Sequence, residues 1–270
     1  MKKNVALMIL GLFMISCSIQ NEISDNITVT GHRGAASHAP ENTIASVKKA
    51  LELNVDRVEF DVQRTKDSVI VLSHDVTVDR TTSGRGRIID MTYEEIQKLE
   101  IIDNEGNVHR IPTLEQVIQT VNGKAVMLIE IKKGSDFYPD IERQVIDLLR
   151  KYNAIEWSII QSFHDNILYE VRRQDQDIEL HKLFLGRIPF TNIIFSPRFS
   201  NLNNPLYETV SEFSGNHRFM GRALIRRIQE KGKKVNVWTL DNARRTQRMI
   251  DRGVNGIITG NPKLVATQGE

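Results

Sequence analysis

The chain has 270 residues, of which 40% are hydrophobic and 26% are charged. This length is enough for one large domain or two small ones, and no shift in composition divides it. Lysine and arginine number 36 against 34 aspartate and glutamate residues, so the net charge is only +2; this balance excludes the strongly basic class of nucleic-acid-binding proteins. A single cysteine excludes an intrachain disulfide.

The first residues predict a targeting segment rather than part of the fold. Lys2 and Lys3 precede an apolar run over 5–15. A membrane-spanning helix needs about 18 apolar residues or more, so this run is too short to span and is typical of a signal peptide.

The apolar run ends just before the only cysteine of the chain, Cys17, which follows a small residue. We interpret 1–16 as a bacterial lipoprotein signal peptide, Cys17 as the lipidated residue and 17–26 as a polar tether. The alternative is an ordinary cleaved signal, with Cys17 incidental. The first interpretation predicts a protein held in the bacterial cell envelope by a lipid anchor in the inner or outer membrane, facing the periplasm.

Runs rich in valine, isoleucine and phenylalanine recur along the rest of the chain. They lie at about 27–31, 56–62, 69–73, 125–131, 156–161, 179–184, 208–213, 235–239 and 256–259. Segments with the apolar spacing of helices lie between most of them, for example around 44–51 and 141–149. Strands that alternate with helices predict parallel βα units.

Loop length decides how these nine runs are arranged. Only a few residues separate 56–62 from 69–73, whereas a parallel crossover needs a dozen or more, so this pair predicts an antiparallel hairpin. The other eight runs predict a (β/α)₈ TIM barrel over 27–270, a fold of roughly 250 residues. The run at 208–213 is the weakest of the eight. Residues 76–111 become a long insertion after the hairpin, and an insertion of that length predicts a function or a small subdomain.

Charged side chains stand where several of these runs end. His32 follows the first run, Glu59 and Asp61 end the second, and Glu130 ends the run at 125–131. Catalytic groups of such barrels lie at the carboxyl ends of the strands. Because side chains alternate along a strand, Glu59 and Asp61 share one side of the sheet. The residues between and beside them are apolar, so the acidic pair is predicted to face the barrel interior.

Three carboxylates aimed at one point repel each other unless a cation or protons neutralise them. An all-oxygen site suits one divalent cation such as Mg²⁺ or Ca²⁺, which can bind phosphate oxygens and activate a bound hydroxyl or water. Arg33 and Lys132 are candidates for holding the remaining phosphate charge. His32 and His74 are candidates for an acid and a base, because histidine titrates near neutral pH.

Taken singly, each of these residues has a simpler interpretation. Asn42 or Thr43 suits a helix cap, and Trp238 suits either the core or the wall of a pocket. Asp75 either positions His74 or only caps a turn. The joint arrangement at strand ends is what favours a catalytic site.

The pieces His32-Arg33-Gly34, Pro40-Glu41-Asn42-Thr43, Val58-Glu59-Phe60-Asp61-Val62, Thr65-Lys66-Asp67, His74-Asp75, Asp79-Arg80-Thr81-Thr82, Pro112-Thr113-Leu114, Glu130-Ile131-Lys132, Gln161-Ser162-Phe163, Val237-Trp238-Thr239 and Gly256-Ile257-Ile258-Thr259 occur in this order. On these motifs the chain resembles the glycerophosphodiester phosphodiesterases over 28–265.

The resemblance implies a (β/α)₈ barrel and a divalent metal held by Glu59, Asp61 and Glu130. It implies that His32 and His74 form the acid–base pair. The implied reaction is hydrolysis of a glycerophosphodiester, such as glycerophosphocholine or glycerophosphoethanolamine, to an alcohol and glycerol 3-phosphate. Attack by a neighbouring hydroxyl of the substrate, through a cyclic phosphate, and direct attack by water both stay open.

The chain departs from the pattern of this family at two positions and in one region. The family often has Asn where this chain has Asp241, and Asp where this chain has Gly260; the region 186–218 fits the pattern poorly. Two other functions stay open. A phosphodiesterase acting on lysophospholipids or other lipid head groups would need an apolar channel beside Phe163 and Trp238, and a lipoprotein could bind phosphodiesters without cutting them.

Overall fold

The computed structural model describes residues 27–187, 194–195 and 202–266. The predicted signal peptide, Cys17 and the tether lie outside these residues, as do 267–270 and, within the region 186–218, residues 188–193 and 196–201. No helix among the described residues combines the length and the apolar character that crossing a bilayer requires.

Short strands and helices alternate along the described chain. The strands are β1 (Thr28–Gly31), β2 (Arg57–Arg64), β3 (Ile70–Leu72), β4 (Ile101–Ile102), β5 (Val108–His109), β6 (Val126–Ile131), β7 (Ser158–Ser162), β8 (Glu179–Phe184), β9 (Gly186–Arg187), β10 (Ile194–Phe195), β11 (Glu212–Asn216), β12 (Lys234–Trp238) and β13 (Gly256–Thr259). The helices are α1 (Ile44–Glu52), α2 (Tyr93–Gln97), α3 (Leu114–Val121), α4 (Ile141–Lys151), α5 (Asp165–Gln174), α6 (Arg222–Gln229), α7 (Ala243–Ile250) and α8 (Lys263–Ala266).

Eight parallel strands close into a barrel. Their order is β1, β13, β12, β11, β8, β7, β6 and β2, and β2 pairs with β1 to complete the circle. Strand β3 pairs with β2 in antiparallel fashion, with Val62 opposite Leu72 and Arg64 opposite Ile70. The predicted (β/α)₈ barrel and its hairpin arm are therefore both confirmed.

The weakest predicted strand is displaced along the chain. The run at 208–213 only overlaps β11, and Pro205–Glu208 forms a 3₁₀ helix instead. Asn204 caps that helix by accepting a hydrogen bond from the backbone N–H of Leu206, and proline suits the first position of a helix because its missing N–H has no partner there.

The insertion after the hairpin has a core of its own. It contains α2 and the antiparallel pair β4–β5, and it packs a small hydrophobic cluster against the hairpin arm. The cluster consists of Val71, Val78, Ile88, Ile96, Ile101 and Ile111. The segment is thus a small subdomain rather than an unstructured loop.

Side-chain alternation divides β2 between two environments. Val58, Phe60 and Val62 are fully buried in the large core shared with the helices. Glu59 and Asp61 point the other way, into the barrel, and each is only 1% exposed. The predicted inward direction of the acidic pair is confirmed.

The interior of the barrel is layered along its axis. An apolar layer contains Leu128, Ile159 and Ile258. At the amino-terminal ends of the strands, Arg57 donates two hydrogen bonds to Glu212, of 2.7 and 2.9 Å. The apolar layer separates this ion pair from the acidic groups at the carboxyl ends of the strands.

Candidate active site

The segment after β1 turns sharply so that two functional side chains face the barrel axis. Arg33 and Gly34 both have positive φ angles, of 52° and 82°. A Cβ atom at Gly34 would lie 2.5 Å from Ser46, so both the backbone and the space require glycine. The backbone N–H of Arg33 donates to the carboxylate of Glu59 (2.9 Å), which joins this turn to β2.

Glu59, Asp61 and Glu130 converge inside the barrel. Asp61 and Glu130 are register partners on neighbouring strands, and each of the three residues offers a carboxylate oxygen within 4.8 Å of the others. Lys132 lies between two of them, with its Nζ atom 3.0 Å from Glu130 and 3.2 Å from Asp61. The three residues predicted as metal ligands are therefore brought together.

Burial and mutual repulsion distort the titration of this cluster. Burial, reinforced by the charges of Asp61 and Glu130, raises the pKa of Glu59 well above its usual range. Burial raises the pKa of Glu130 to about 7 against the opposing charge of Lys132. Burial would also raise the pKa of Asp61, but Lys132 and Arg33 hold it well below its usual range. A hard divalent cation suits this all-oxygen set, because its charge would relieve the repulsion.

Gln161 adds an uncharged oxygen to the same cluster. It is the register partner of Glu130 on β7 and is 1% exposed. Its Nε2 atom lies 3.4 Å from Glu59, and its Oε1 atom is buried without a hydrogen-bond partner. Buried polar atoms normally have partners, so this oxygen is suited to a cation or a cation-bound water. The sequence contained this residue only as part of a family motif, with no role attached.

Both histidines lie in the wall of one cavity of about 220 Å³. The Nε2 atom of His32 is 3.9 Å from Glu59, and burial, helped by the charge of Arg33, lowers the pKa of His32 to about 4. Burial also lowers the pKa of His74, although the carboxylate of Asp61 opposes the shift. His32 is therefore a neutral imidazole near pH 7.

A chain of hydrogen bonds connects His74 with Arg33 through the insertion. The Nδ1 atom of His74 bonds to Asp75 (2.7 Å), and Arg80 donates to the other oxygen of Asp75 (2.6 Å). Arg80 also donates twice to Glu41, at 2.6 and 2.9 Å, and Glu41 accepts a bond from Arg33 (2.8 Å). Asp75 thus positions His74, the first of its two proposed roles, and Arg80 holds Asp75.

Asn42 and Thr43 have different roles. Thr43 caps α1 in a reciprocal arrangement with Ser46. Asn42 is not a cap: its Nδ2 donates to Asp61 (3.0 Å), and its Oδ1 accepts the backbone N–H of Asp61 (3.1 Å). Its φ of 55° lies in the left-handed region, which asparagine tolerates better than most residues.

The other side of the cavity is apolar. The rings of Phe163 and Trp238 meet edge to face, with centroids 5.6 Å apart, and Leu183 and Ile258 complete this wall. The Nε1 atom of Trp238 donates to the carbonyl of Ser214 (3.0 Å), which fixes the indole. Trp238 therefore forms a pocket wall rather than part of the core.

Eight of the nine predicted site residues other than Cys17 lie in the wall of this cavity. They are His32, Arg33, Glu59, His74, Glu130, Lys132, Phe163 and Trp238. The ninth, Asp61, accepts a hydrogen bond from Lys132, which does lie in this wall.

The two departures from the family pattern meet at one place on the rim. Asp241 accepts hydrogen bonds from the backbone of Gly260 (2.8 Å) and from the hydroxyl of Thr259 (2.9 Å). A Cβ atom added at Gly260 would lie 3.4 Å from the same carboxylate oxygen. A carboxylate is present at this place, supplied from the loop after β12 rather than from the residue after β13.

Comparisons with known proteins agree with this geometry. Residues 32–264 match the sequence model of the glycerophosphoryl diester phosphodiesterase family. A glycerophosphodiester phosphodiesterase of Caldanaerobacter subterraneus subsp. tengcongensis is 36% identical over 242 residues, which cover 88% of this chain and 95% of that protein.

Solved structures show the same barrel. The glycerophosphodiester phosphodiesterase of Thermotoga maritima superposes with a TM-score of 0.69 at 25% identity, covering 90% of this chain and 98% of that one. A phosphodiesterase of Oleispira antarctica, solved with the product sn-glycerol-3-phosphate, superposes with a TM-score of 0.77 at 21% identity, covering 90% and 97%. Since the family match extends over nearly the whole described barrel, the chain belongs to the glycerophosphoryl diester phosphodiesterase family.

Proposed function

We propose that this enzyme hydrolyses glycerophosphodiesters to an alcohol and glycerol 3-phosphate, using one divalent cation, Mg²⁺ or Ca²⁺. Glu59, Asp61 and Glu130 hold the cation, and His32 and His74 form the acid–base pair. The observation that supports this most is that both histidines and the acidic cluster meet at one small cavity.

The cation, when bound, neutralises phosphate charge and lowers the pKa of a hydroxyl or water beside it. Arg33 holds a phosphate oxygen, because it lines the cavity beside both histidines. One guanidinium nitrogen is bound to Glu41, and the Nε atom lies 3.6 Å from Asp61 without a hydrogen-bond partner. Lys132 stays near the carboxylates it already contacts and adds positive charge.

The two histidines differ in a way that suggests their roles. His32 has its pKa lowered to about 4, so it is neutral and accepts the proton of the attacking hydroxyl. Burial lowers the pKa of His74, but the charge of Asp61 and the hydrogen bond that the imidazole makes to Asp75 oppose this shift. His74 is therefore better suited to hold a proton and to donate it to the leaving alcohol. The same pair serves attack by water and attack by a hydroxyl of the substrate.

The cavity supports a short alcohol as the leaving group, such as the head groups of glycerophosphocholine and glycerophosphoethanolamine. Its volume is about 220 Å³, and among the residues that the structure describes its apolar wall consists of Phe163, Leu183, Trp238 and Ile258. A lysophospholipid would require this apolar corner to continue as a channel. A protein that only binds phosphodiesters would not need both histidines beside the acidic cluster.

We also propose that the chain is a lipoprotein of the cell envelope. Residues 1–16 are its signal peptide, Cys17 carries the lipid, 17–26 are the tether and 27–270 are the catalytic domain facing the periplasm. The support is the sequence pattern alone, a charged start and a short apolar run before the only cysteine.

Purified enzyme is expected to release glycerol 3-phosphate from glycerophosphocholine in the presence of Mg²⁺ or Ca²⁺. His32→Ala and His74→Ala are each expected to lower kcat by about 10²–10⁴-fold, the range typical of a lost general acid or base. The measurement is a coupled assay of glycerol 3-phosphate across a panel of head groups and both cations. His109→Ala is the control, because His109 bonds to Asp103 in the insertion, away from the cavity. Full activity in excess chelator would contradict the proposed metal dependence.

Cation affinity is expected to fall as the pH drops below about 7. The proton on Glu130, whose pKa is about 7, competes with the cation, so binding must displace it. For one displaced proton the affinity falls about tenfold per pH unit. Titration calorimetry with Ca²⁺ from pH 7.5 to 5.5 measures this, and Glu130→Gln should bind more weakly with a shallower pH dependence. An affinity that stays constant over this range contradicts the proposal.

Arg80→Ala is expected to lower kcat about tenfold with little change in KM, because Asp75 then loses the partner that orients it toward His74. Arg80→Lys should restore part of the loss. The Arg80→Ala/Asp75→Asn double variant should be little worse than the poorer single variant, since both act through one network. Arg85→Ala, on an exposed arginine of the same insertion, is the control. Fully additive losses would show that Arg80 does not act through Asp75.

Cys17→Ala is expected to move the protein from the membrane fraction to the soluble fraction, because one lipid anchor is removed. Mass spectrometry of the mature amino terminus should show a lipidated Cys17 in the parent protein. An unmodified cysteine in the mature parent, or loss of Cys17 by cleavage beyond it, argues for an ordinary signal peptide.

A further inference from the structure

Positive charge is concentrated in one sector of the barrel. Residues 218–252 contain eleven lysines and arginines against three acidic residues, a net charge of +8. Because the whole chain has a net charge of +2, the other residues together carry −6. An asymmetry of this kind produces a directional electric field and indicates an anionic partner.

Helices α6 and α7 carry most of this charge on their outer sides. Each helix buries an apolar side, which includes Leu224 and Ile228 in α6 and Met249 in α7. Six arginines, all exposed, form what we term the basic face: Arg222, Arg226, Arg227, Arg244, Arg245 and Arg248.

Contacts near the ends of the helices join them into one surface. Arg222, at the start of α6, donates to the carbonyl of Asp251 just after α7 (3.2 Å). Arg252 donates to the carbonyl of Met220 just before α6 (2.9 Å). The basic face is therefore continuous across the two helices.

No arginine of the basic face forms an ion pair with any residue that the structure describes. Arginines elsewhere are paired, for example Arg57 with Glu212 and Arg150 with Asp175. Like charges four residues apart on a helix, such as Arg244 and Arg248, repel each other. A partner that supplies many negative charges would remove this repulsion.

A second copy of the chain offers a poor complement to the basic face. One cleft on the surface contains five acidic residues, and three of their carboxylates are already in ion pairs: Asp140 with Arg143, Asp165 with Lys182 and Glu170 with Arg173. Single-stranded nucleic acid is also a poor match, because it is usually held by stacking on aromatic side chains. Neither α6 nor α7 contains an aromatic residue.

The basic face adjoins the apolar wall of the catalytic cavity. His217 follows β11, and its backbone N–H donates to the carbonyl of Trp238 (3.0 Å). Helix α7 begins at Ala243, five residues after Trp238 ends β12, and α6 begins at Arg222, six residues after Asn216 ends β11. A surface bound to the basic face would therefore lie beside the Trp238 side of the cavity.

We propose that the basic face docks the enzyme on an anionic phospholipid bilayer, with its guanidinium groups bound to lipid phosphates. Arginine suits this role because its planar group binds phosphate through paired hydrogen bonds. Docking would hold the cavity at the surface where phospholipids are broken down to glycerophosphodiesters. It acts in addition to any lipid on Cys17 and does not depend on it.

The test uses the full chain carrying Cys17→Ala, sedimented with vesicles of phosphatidylcholine alone or mixed with phosphatidylglycerol. Each basic residue near such a surface contributes about 1 kcal/mol to the free energy of binding, which corresponds to about fivefold in affinity. Arg226→Gln, Arg244→Gln and Arg248→Gln together should weaken binding to the anionic vesicles about 100-fold. Binding to the neutral vesicles should not change.

The matched control neutralises three exposed cations elsewhere, Lys48→Gln, Lys124→Gln and Arg85→Gln, and should bind anionic vesicles almost as the parent does. Hydrolysis of soluble glycerophosphocholine should be the same in both triple variants, so failure of docking is distinguishable from failure of the catalytic proposal. Undiminished binding by the basic-face variant, or an equal loss in the control, overturns the proposal. So does a parent that binds single-stranded nucleic acid or self-associates through these arginines while ignoring the vesicles.

Discussion

The central constraint in this protein is the repulsion among three carboxylates buried inside a barrel. Glu59, Asp61 and Glu130 have almost no access to water, and their oxygens lie within 4.8 Å of each other. Charges in such surroundings persist only when other charges or protons offset them. Lys132 and Arg33 lie beside Asp61 and offset part of the charge, while burial together with the neighbouring carboxylates raises the pKa of Glu59 and Glu130.

The barrel can hold this repulsive group because its interior is divided. The apolar layer around Leu128 and Ile159 isolates the acidic cluster from the Arg57–Glu212 pair at the opposite end. Each charged group therefore forms ion pairs only with neighbours in its own layer. Closure of the sheet by β1 and β2 places the turn after β1 directly beside Glu59.

The catalytic histidines reach this cluster by different routes. His32 comes directly from the barrel, whereas His74 returns on the hairpin arm and is held by Asp75, Arg80 and Glu41. The hairpin was predictable, because a connection of a few residues cannot form a parallel crossover. The hydrogen-bond network around His74 was not predictable. Arg80 and Glu41 are 39 residues apart, and the same two residues could equally have stood unpaired in exposed loops.

The sequence by itself determined the alternation of strands and helices in the barrel, the hairpin arm and the inward side of β2, because side-chain period and loop length are local properties. Only the tertiary structure decided which polar residues touch: Asn42 holds Asp61 instead of capping a helix, and Gln161 has a buried oxygen without a hydrogen-bond partner. It also decided that β11 begins at Glu212, four residues after the start of the run predicted at 208–213. These outcomes depend on distances between segments far apart in the chain, and hydrogen bonds form over about 3 Å whatever the separation in sequence.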